Sequence, residues 1–137
     1  INLLAQQGVT TLLSTHYMDE AERCHNLACI SNGNLLIHGS REKIISSAKL
    51  ITYKVNSQNN NINRLAQALK QEKDICQVST LGVELHVSGY NKQQLTAIQK
   101  KYSKLYSNNT WSLITPSLED VFINLMETDK KNKDKTK

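Results

Sequence analysis

Apolar residues change their spacing along this chain, and the changes mark out its elements. Ile1–Gln7 carries the end of a helical pattern, and Gly8 stands where a C-terminal cap belongs. Val9–Ser14 (VTTLLS) is apolar and β-branched without alternation, which predicts a strand covered on both faces. Asp19 and Glu20 then open a short helix to about Cys24, with acids in the first turn, where the helix dipole favours them. Leu27–Ser31 and Asn34–His38 read as strands on either side of Asn32-Gly33, a two-residue hairpin signal. Gly39 breaks the second strand, and Ser40 is placed to cap a helix over Arg41–Ser47.

Beyond this point the pattern is of another kind. Leu50–Val55 reads as a strand, Asn56–Asn61 as a polar loop, and Ile62–Lys70 as a helix with Ile62, Leu65, Ala66 and Leu69 on one face. Ile75–Thr80 and Val83–Ser88 are strands meeting at Leu81-Gly82. Lys92–Tyr102 repeats the helical spacing through Leu95, Ile98 and Tyr102, and a last strand lies around Trp111 within Tyr106–Ile114. Strand, helix, strand, strand, helix, strand is the split βαβ, ferredoxin-like order. Pro116-Ser117 starts a final helix in which Leu118, Val121, Phe122 and Leu125 recur at core spacing. Glu119 and Asp120 fall in its first turn, as helix-end charges rather than catalysts.

The 137 residues therefore divide into three stretches. Residues 1–48 read as part of a buried-sheet α/β domain, 49–127 as a small α+β module with its closing helix, and 128–137 as a basic, disordered tail. The first stretch is too short to bury a core of its own and calls for partner elements from elsewhere. The chain opens at Ile1 inside an amphipathic pattern, which is read as the trace of a missing N-terminal part, in a fragment or a gene remnant.

Composition narrows the function. Hydrophobic residues make up 39% and charged residues 21%, a balance that folds. No apolar run approaches the ~18 residues that span a bilayer, and no basic-then-apolar leader opens the chain. Three cysteines, Cys24, Cys29 and Cys76, form no CxxC pair, which argues against zinc or a disulfide framework and for reduced thiols. The net charge of +5 is concentrated in Asp129–Lys137, with five lysines and two aspartates; that is a solvated end, not the one-faced basic surface of a nucleic-acid binder.

His16 is the candidate for chemistry. It ends the apolar strand just before a helix, and ligands of open α/β sheets bind beyond the carboxyl ends of strands. An imidazole there can hydrogen-bond a phosphate oxygen or a water; it can equally satisfy local backbone groups. His25, His38 and His86 read as structural or exposed positions.

The surroundings of His16 decide between these readings. "GVTTLLSTHYMDEAERC" followed by "LACISNGNLLIHGS" resembles, across residues 8–40, the switch region of ATP-binding-cassette (ABC) ATPases. In that family a strand ends in a histidine preceded by a hydroxyl residue, and a short acidic helix and a polar-Gly hairpin follow. Tyr17–Glu22 is similar to the branch that exports drugs, sodium or surface polysaccharides. "TPSLEDVFINL" (Thr115–Leu125) resembles the closing helix that follows a small ferredoxin-like extension in the same branch.

The resemblance implies that His16 is a switch histidine contacting the γ-phosphate of ATP and holding the attacking water, with Mg²⁺ in the complete protein. It implies a second ATPase subunit (a homodimer), an integral membrane permease as partner, and a cytoplasmic place on the inner face of the membrane. It implies no nucleic-acid partner. The chain itself contains no GxxxxGK[ST], no LSGGQ-like signature and no apolar strand ending in Asp-Glu. ATPase activity and tight ATP binding are accordingly not expected of it alone. Two other classes remain: a stand-alone ferredoxin-like regulatory or ligand-binding module, and, last, an RNA-binding module. The third strand of the latter would need exposed aromatics, and VELHVS has none.

Overall fold

The structure, a computed structural model, describes residues 6–57 and 62–134; the start of the expected first helix, most of the Asn56–Asn61 loop and the last three residues lie outside them. The fold is mixed α/β, with two antiparallel sheets and several helices. In chain order the elements are α1 (Met18–Ala21), β1 (Leu27–Ser31), β2 (Asn34–Gly39), α2 (Arg41–Ser47), β3 (Ile51–Ser57), α3 (Ile62–Leu69), β4 (Gln77–Leu81), β5 (Glu84–Gly89), α4 (Lys92–Leu105), β6 (Asn109–Ile114) and α5 (Leu118–Asp134). Two compact units result: one takes in the chain up to Ala48 and from Val121 onward, the other is Lys49–Asp120. Among the described residues no helix is long and apolar enough to cross a membrane.

In the first unit β1 and β2 form an antiparallel hairpin, closing from Leu27↔Gly39 to Ser31↔Asn34 with an irregularity at Cys29/Ile30. Asn32 and Gly33 both take positive φ, 49° and 76°, the backbone of a two-residue type I′ turn. A side chain other than Gly or Asn meets its own carbonyl there, which is why Asn-Gly announced the turn. The Ser40 hydroxyl accepts the Lys43 N–H at 3.3 Å and so caps α2, whose Ile44 is buried.

Val9–Ser14, expected as a buried strand, is not one: the segment has no regular structure and its side chains are exposed, with Leu12 99% accessible. The physical reason is the absence of neighbours. A strand apolar on both faces belongs inside a parallel sheet with layers above and below. The described sheet of this unit is only the β1–β2 hairpin, and Val9–Ser14 pairs with neither strand.

The second unit has the expected strand and helix order. Its sheet runs β4-β5-β3-β6 with every neighbour antiparallel. Alternation along the strands gives it two unlike faces. Val55, Leu85 and Val87 point to one side and pack with Leu65, Ala66 and Leu69 of α3 and Leu95, Ile98 and Tyr102 of α4. Those helical residues recur at i, i+3/i+4 and i+7, the spacing that lays one stripe on a sheet. The Tyr102 hydroxyl donates to Glu72 Oε1 at 2.9 Å, and Lys101 Nζ donates to the same oxygen at 2.7 Å. These bonds, Lys101's first, hold the Glu72 carboxyl below its usual range. Burial, then the bond to Glu72, pushes the Tyr102 phenol up to about 12. The other face is polar: Thr52 and Ser88, opposite one another in register, join their hydroxyls at 2.8 Å, and both are buried.

Gly89 closes β5 where the backbone passes close. A Cβ there would lie 2.7 Å from the Asp74 carbonyl oxygen and 3.2 Å from both δ-carbons of Leu95. A carbonyl in the chain cannot swing aside as a side-chain tip can. Gly89→Ala is therefore expected to cost about 1–3 kcal/mol through overpacking, read as a lowered urea midpoint at constant slope.

Helix α5 continues to Asp134, through most of the lysine-rich stretch. Thr128 Oγ1 bonds back to the Asn124 carbonyl at 2.8 Å in that part of the helix.

Candidate functional site

The loop from Thr15 to Tyr17 presents His16 to solvent immediately before α1. Thr15 is the half-buried residue of the three and organises them. Its hydroxyl accepts the Tyr17 N–H at 3.0 Å and donates to Glu20 Oε2 at 2.5 Å. The Tyr17 carbonyl accepts the N–H groups of Glu20 and Ala21, both at 3.2 Å, starting the single turn of α1. The His16 ring lies against the Tyr17 ring, centroids 4.1 Å apart and planes tilted by 35°. One turn on, Glu22 faces Arg41 at 3.8 Å, an exposed pair that contributes little stability.

This arrangement offers an accessible imidazole on a short tied loop, able to donate to an anionic oxygen approaching from solvent. The acids Asp19 and Glu20 lie in the first turn of the helix and Glu22 caps its C-terminal end; Glu20 is engaged by Thr15 and Glu22 by Arg41. Among the described residues no group of three or more His, Cys, Asp or Glu side chains stands close enough to hold a metal ion. Cys24, Cys29 and Cys76 are joined in no disulfide, and the Cys76 thiol donates to the Ser88 carbonyl at 3.3 Å; burial pushes the Cys29 thiol up, away from the reactive thiolate. His25 and His38 are exposed.

A second cluster lies within the Lys49–Asp120 unit, on the polar face of the sheet. His86 is 6% accessible, and its Nδ1 sits 2.8 Å and 3.0 Å from the two carboxylate oxygens of Asp120, which is fully buried. Ser79, opposite His86 in register, donates to Asp120 Oδ1 at 3.3 Å. Ser117 gives the same carboxylate its N–H at 2.9 Å and its hydroxyl at 2.8 Å, and accepts the Asp120 N–H at 3.1 Å. That reciprocal pairing is a capping box at the start of α5. Asp120 is thus a helix-end charge, and it is also the partner of a buried histidine on the middle of the sheet. Ser79 bonds to the carboxylate, and the far nitrogen of His86 faces Glu84 at 3.9 Å, so no nucleophile is lined up on the imidazole. The cluster fastens the start of α5 to the sheet.

Sequence reasoning singled out His16 but missed Thr15 and Glu20 as its supports, and the pairing of His86 with Asp120. Half of the second was visible: Ser117-x-x-Asp120 is a capping-box pattern.

No protein-family model matches the chain, and no solved structure matches it. Curated relatives do, over a short stretch. The probable multidrug ABC transporter ATP-binding protein YbhF of Escherichia coli (strain K12) is 36% identical over 44 residues, 32% of this chain and 8% of that protein. The Nod factor export ATP-binding protein I of Paraburkholderia xenovorans (strain LB400) is 44% identical over 45 residues, 32% of this chain and 15% of that protein. The chain thus has a distant and partial likeness to ABC transporter ATP-binding proteins, confined to about a third of its length.

Proposed function

We propose that residues 1–48 are the switch-histidine end of the nucleotide-binding domain of an ABC-type exporter ATPase, and that residues 49–127 are its ferredoxin-like extension with a closing helix. The observation that carries this reading is the local identity to a multidrug ABC transporter ATP-binding protein and a Nod factor export ATP-binding protein, together with the accessible histidine before an acidic helical turn. The four-stranded order β4-β5-β3-β6 supports the second half.

In this reading His16 donates a hydrogen bond to a γ-phosphate oxygen of ATP, the substrate, and helps hold the attacking water. Phosphoryl transfer is mostly positioning and charge stabilisation, so one donor at the terminal phosphate reports whether that phosphate is present. The residues described here fit one edge of the nucleotide and no more. They offer no glycine-rich phosphate cradle and no Mg²⁺ ligand set, and no step is assigned to either. Those parts come from a longer polypeptide, which pairs with a second copy and docks on a membrane permease at the inner face of the cell membrane.

His16→Ala, made in the polypeptide that joins this sequence to a phosphate-binding loop, is expected to lower ATP turnover about 10²- to 10³-fold, the usual cost of losing one charge-stabilising donor. Nucleotide affinity stays, since the loop and not the histidine holds the phosphates. Normal turnover by that variant sinks the role. A second reading, a free-standing ferredoxin-like regulatory or ligand-binding module, draws on the self-contained core of the Lys49–Asp120 unit. Tight binding of a fluorescent ATP analogue by this chain alone contradicts the first reading.

A further inference from the structure

We propose that Thr15 and Glu20 are positioning residues for His16, which together set where its imidazole points; the inference rests on the switch-histidine reading. The geometry is a clamp across one residue. The Thr15 hydroxyl accepts the N–H of Tyr17, so the backbone on both sides of His16 belongs to one hydrogen-bonded ring. The same hydroxyl spends its proton on Glu20. A hydroxyl that donates to a carboxylate makes a short, charge-assisted bond and leaves its lone pairs free to accept. Glu20 therefore orients the Thr15 lone pair toward Tyr17. Tyr17 is tied a second time through its carbonyl, to the Glu20 and Ala21 amides, and its ring backs the imidazole.

Two consequences bear on chemistry. First, His16 is exposed and gains no orientation from burial; the clamp supplies order that packing does not. A displacement of about 1 Å at a reacting group costs roughly 100-fold in rate, so an untied loop is a poor phosphate sensor. Second, the bond to Thr15 holds the Glu20 carboxylate on the Thr15 hydroxyl. An untied carboxylate four residues from the imidazole, in the single turn of α1, would oppose an approaching phosphate.

The test has two arms. In this chain, the ¹⁵N heteronuclear NOE of the Tyr17 amide is expected to fall in Thr15→Val and to stay at its parent value in Thr15→Ser, which keeps the hydroxyl. An unchanged NOE in Thr15→Val overturns the clamp. In the polypeptide that carries the phosphate-binding loop, Thr15→Val is expected to lower kcat roughly 10- to 100-fold with the KM for ATP little changed. Glu20→Ala is expected to act in the same direction more weakly, and Thr15→Ser to restore turnover. A kcat for Thr15→Val equal to the parent's, beside a His16→Ala that lowers turnover about 10²- to 10³-fold, overturns the positioning role while leaving the histidine's. Normal turnover in both variants overturns the reading of His16, and this inference with it.

Discussion

Replacing Asp120 by alanine is expected to destabilise the Lys49–Asp120 unit by about 2–4 kcal/mol, because several hydrogen bonds to a charged group, each worth roughly 1.5–3 kcal/mol, are lost at once. The carboxylate is fully buried and bonded to Ser117, Ser79 and His86 at once. Its removal leaves the Ser117 N–H without its side-chain acceptor and His86 without its Nδ1 partner inside the fold. His86→Ala is expected to cost less, about 1–3 kcal/mol, because the Ser117 amide and the two hydroxyls still bond to Asp120. The double variant should cost less than the sum, since both changes dismantle one network. Urea unfolding read by tryptophan fluorescence checks this, Trp111 being in the same unit. A loss below about 0.5 kcal/mol for Asp120→Ala, the range of an ordinary surface substitution, overturns the account of the cluster as a fastening.

The elements that the sequence foretold share a property: each is decided by residues close along the chain. Asn32-Gly33 accepts positive φ at both positions more readily than other pairs, and it makes the β1–β2 turn. Ser40 meets Lys43 three residues away. Leu95, Ile98 and Tyr102 share a face on any helix, and they enter the core. The elements that it missed are set at longer range. His86 and Asp120 are 34 residues apart and meet only because β5 lies inside the sheet and α5 starts above its polar face. An isolated histidine on a strand carries no sign of that. Thr15 and Glu20 are near in sequence but join through side chains across an irregular loop, for which no periodicity exists.

Val9–Ser14 is the opposite case, and it marks where pattern and context part. Its β-branched, apolar run is correct as a statement of what the segment prefers, yet a strand is a relation between neighbours. With none in the described sheet, the preference has nothing to act on, and the apolar side chains of Val9, Leu12 and Leu13 stand in water. His16 was located by the same local pattern. Its accessibility is visible in the structure, whereas the chemistry proposed for it calls on groups that these residues do not supply.

Leu12→Asp turns that contrast into a measurement with opposite outcomes in two settings. In this chain Leu12 is already 99% accessible, so a carboxylate there loses no packing and buries no charge. The change in unfolding free energy is expected to stay within about 0.5 kcal/mol, and the chain should become more soluble, because Leu12 with Val9 and Leu13 presents apolar surface. In the longer ATPase polypeptide proposed above, Val9–Ser14 lies inside a parallel sheet with both faces covered. An aspartate at position 12 must then be buried without a partner, or be protonated, at a cost of several kcal/mol, enough to consume much of a typical domain's stability. The expected result is loss of soluble, folded protein and with it of ATP turnover, while Leu12→Val retains both. Full tolerance of the aspartate in the longer polypeptide removes Val9–Ser14 from any sheet interior and takes the nucleotide-binding reading of residues 1–48 with it. A marked loss of stability in this chain alone contradicts the exposed loop instead, so the two failures are told apart by which protein suffers.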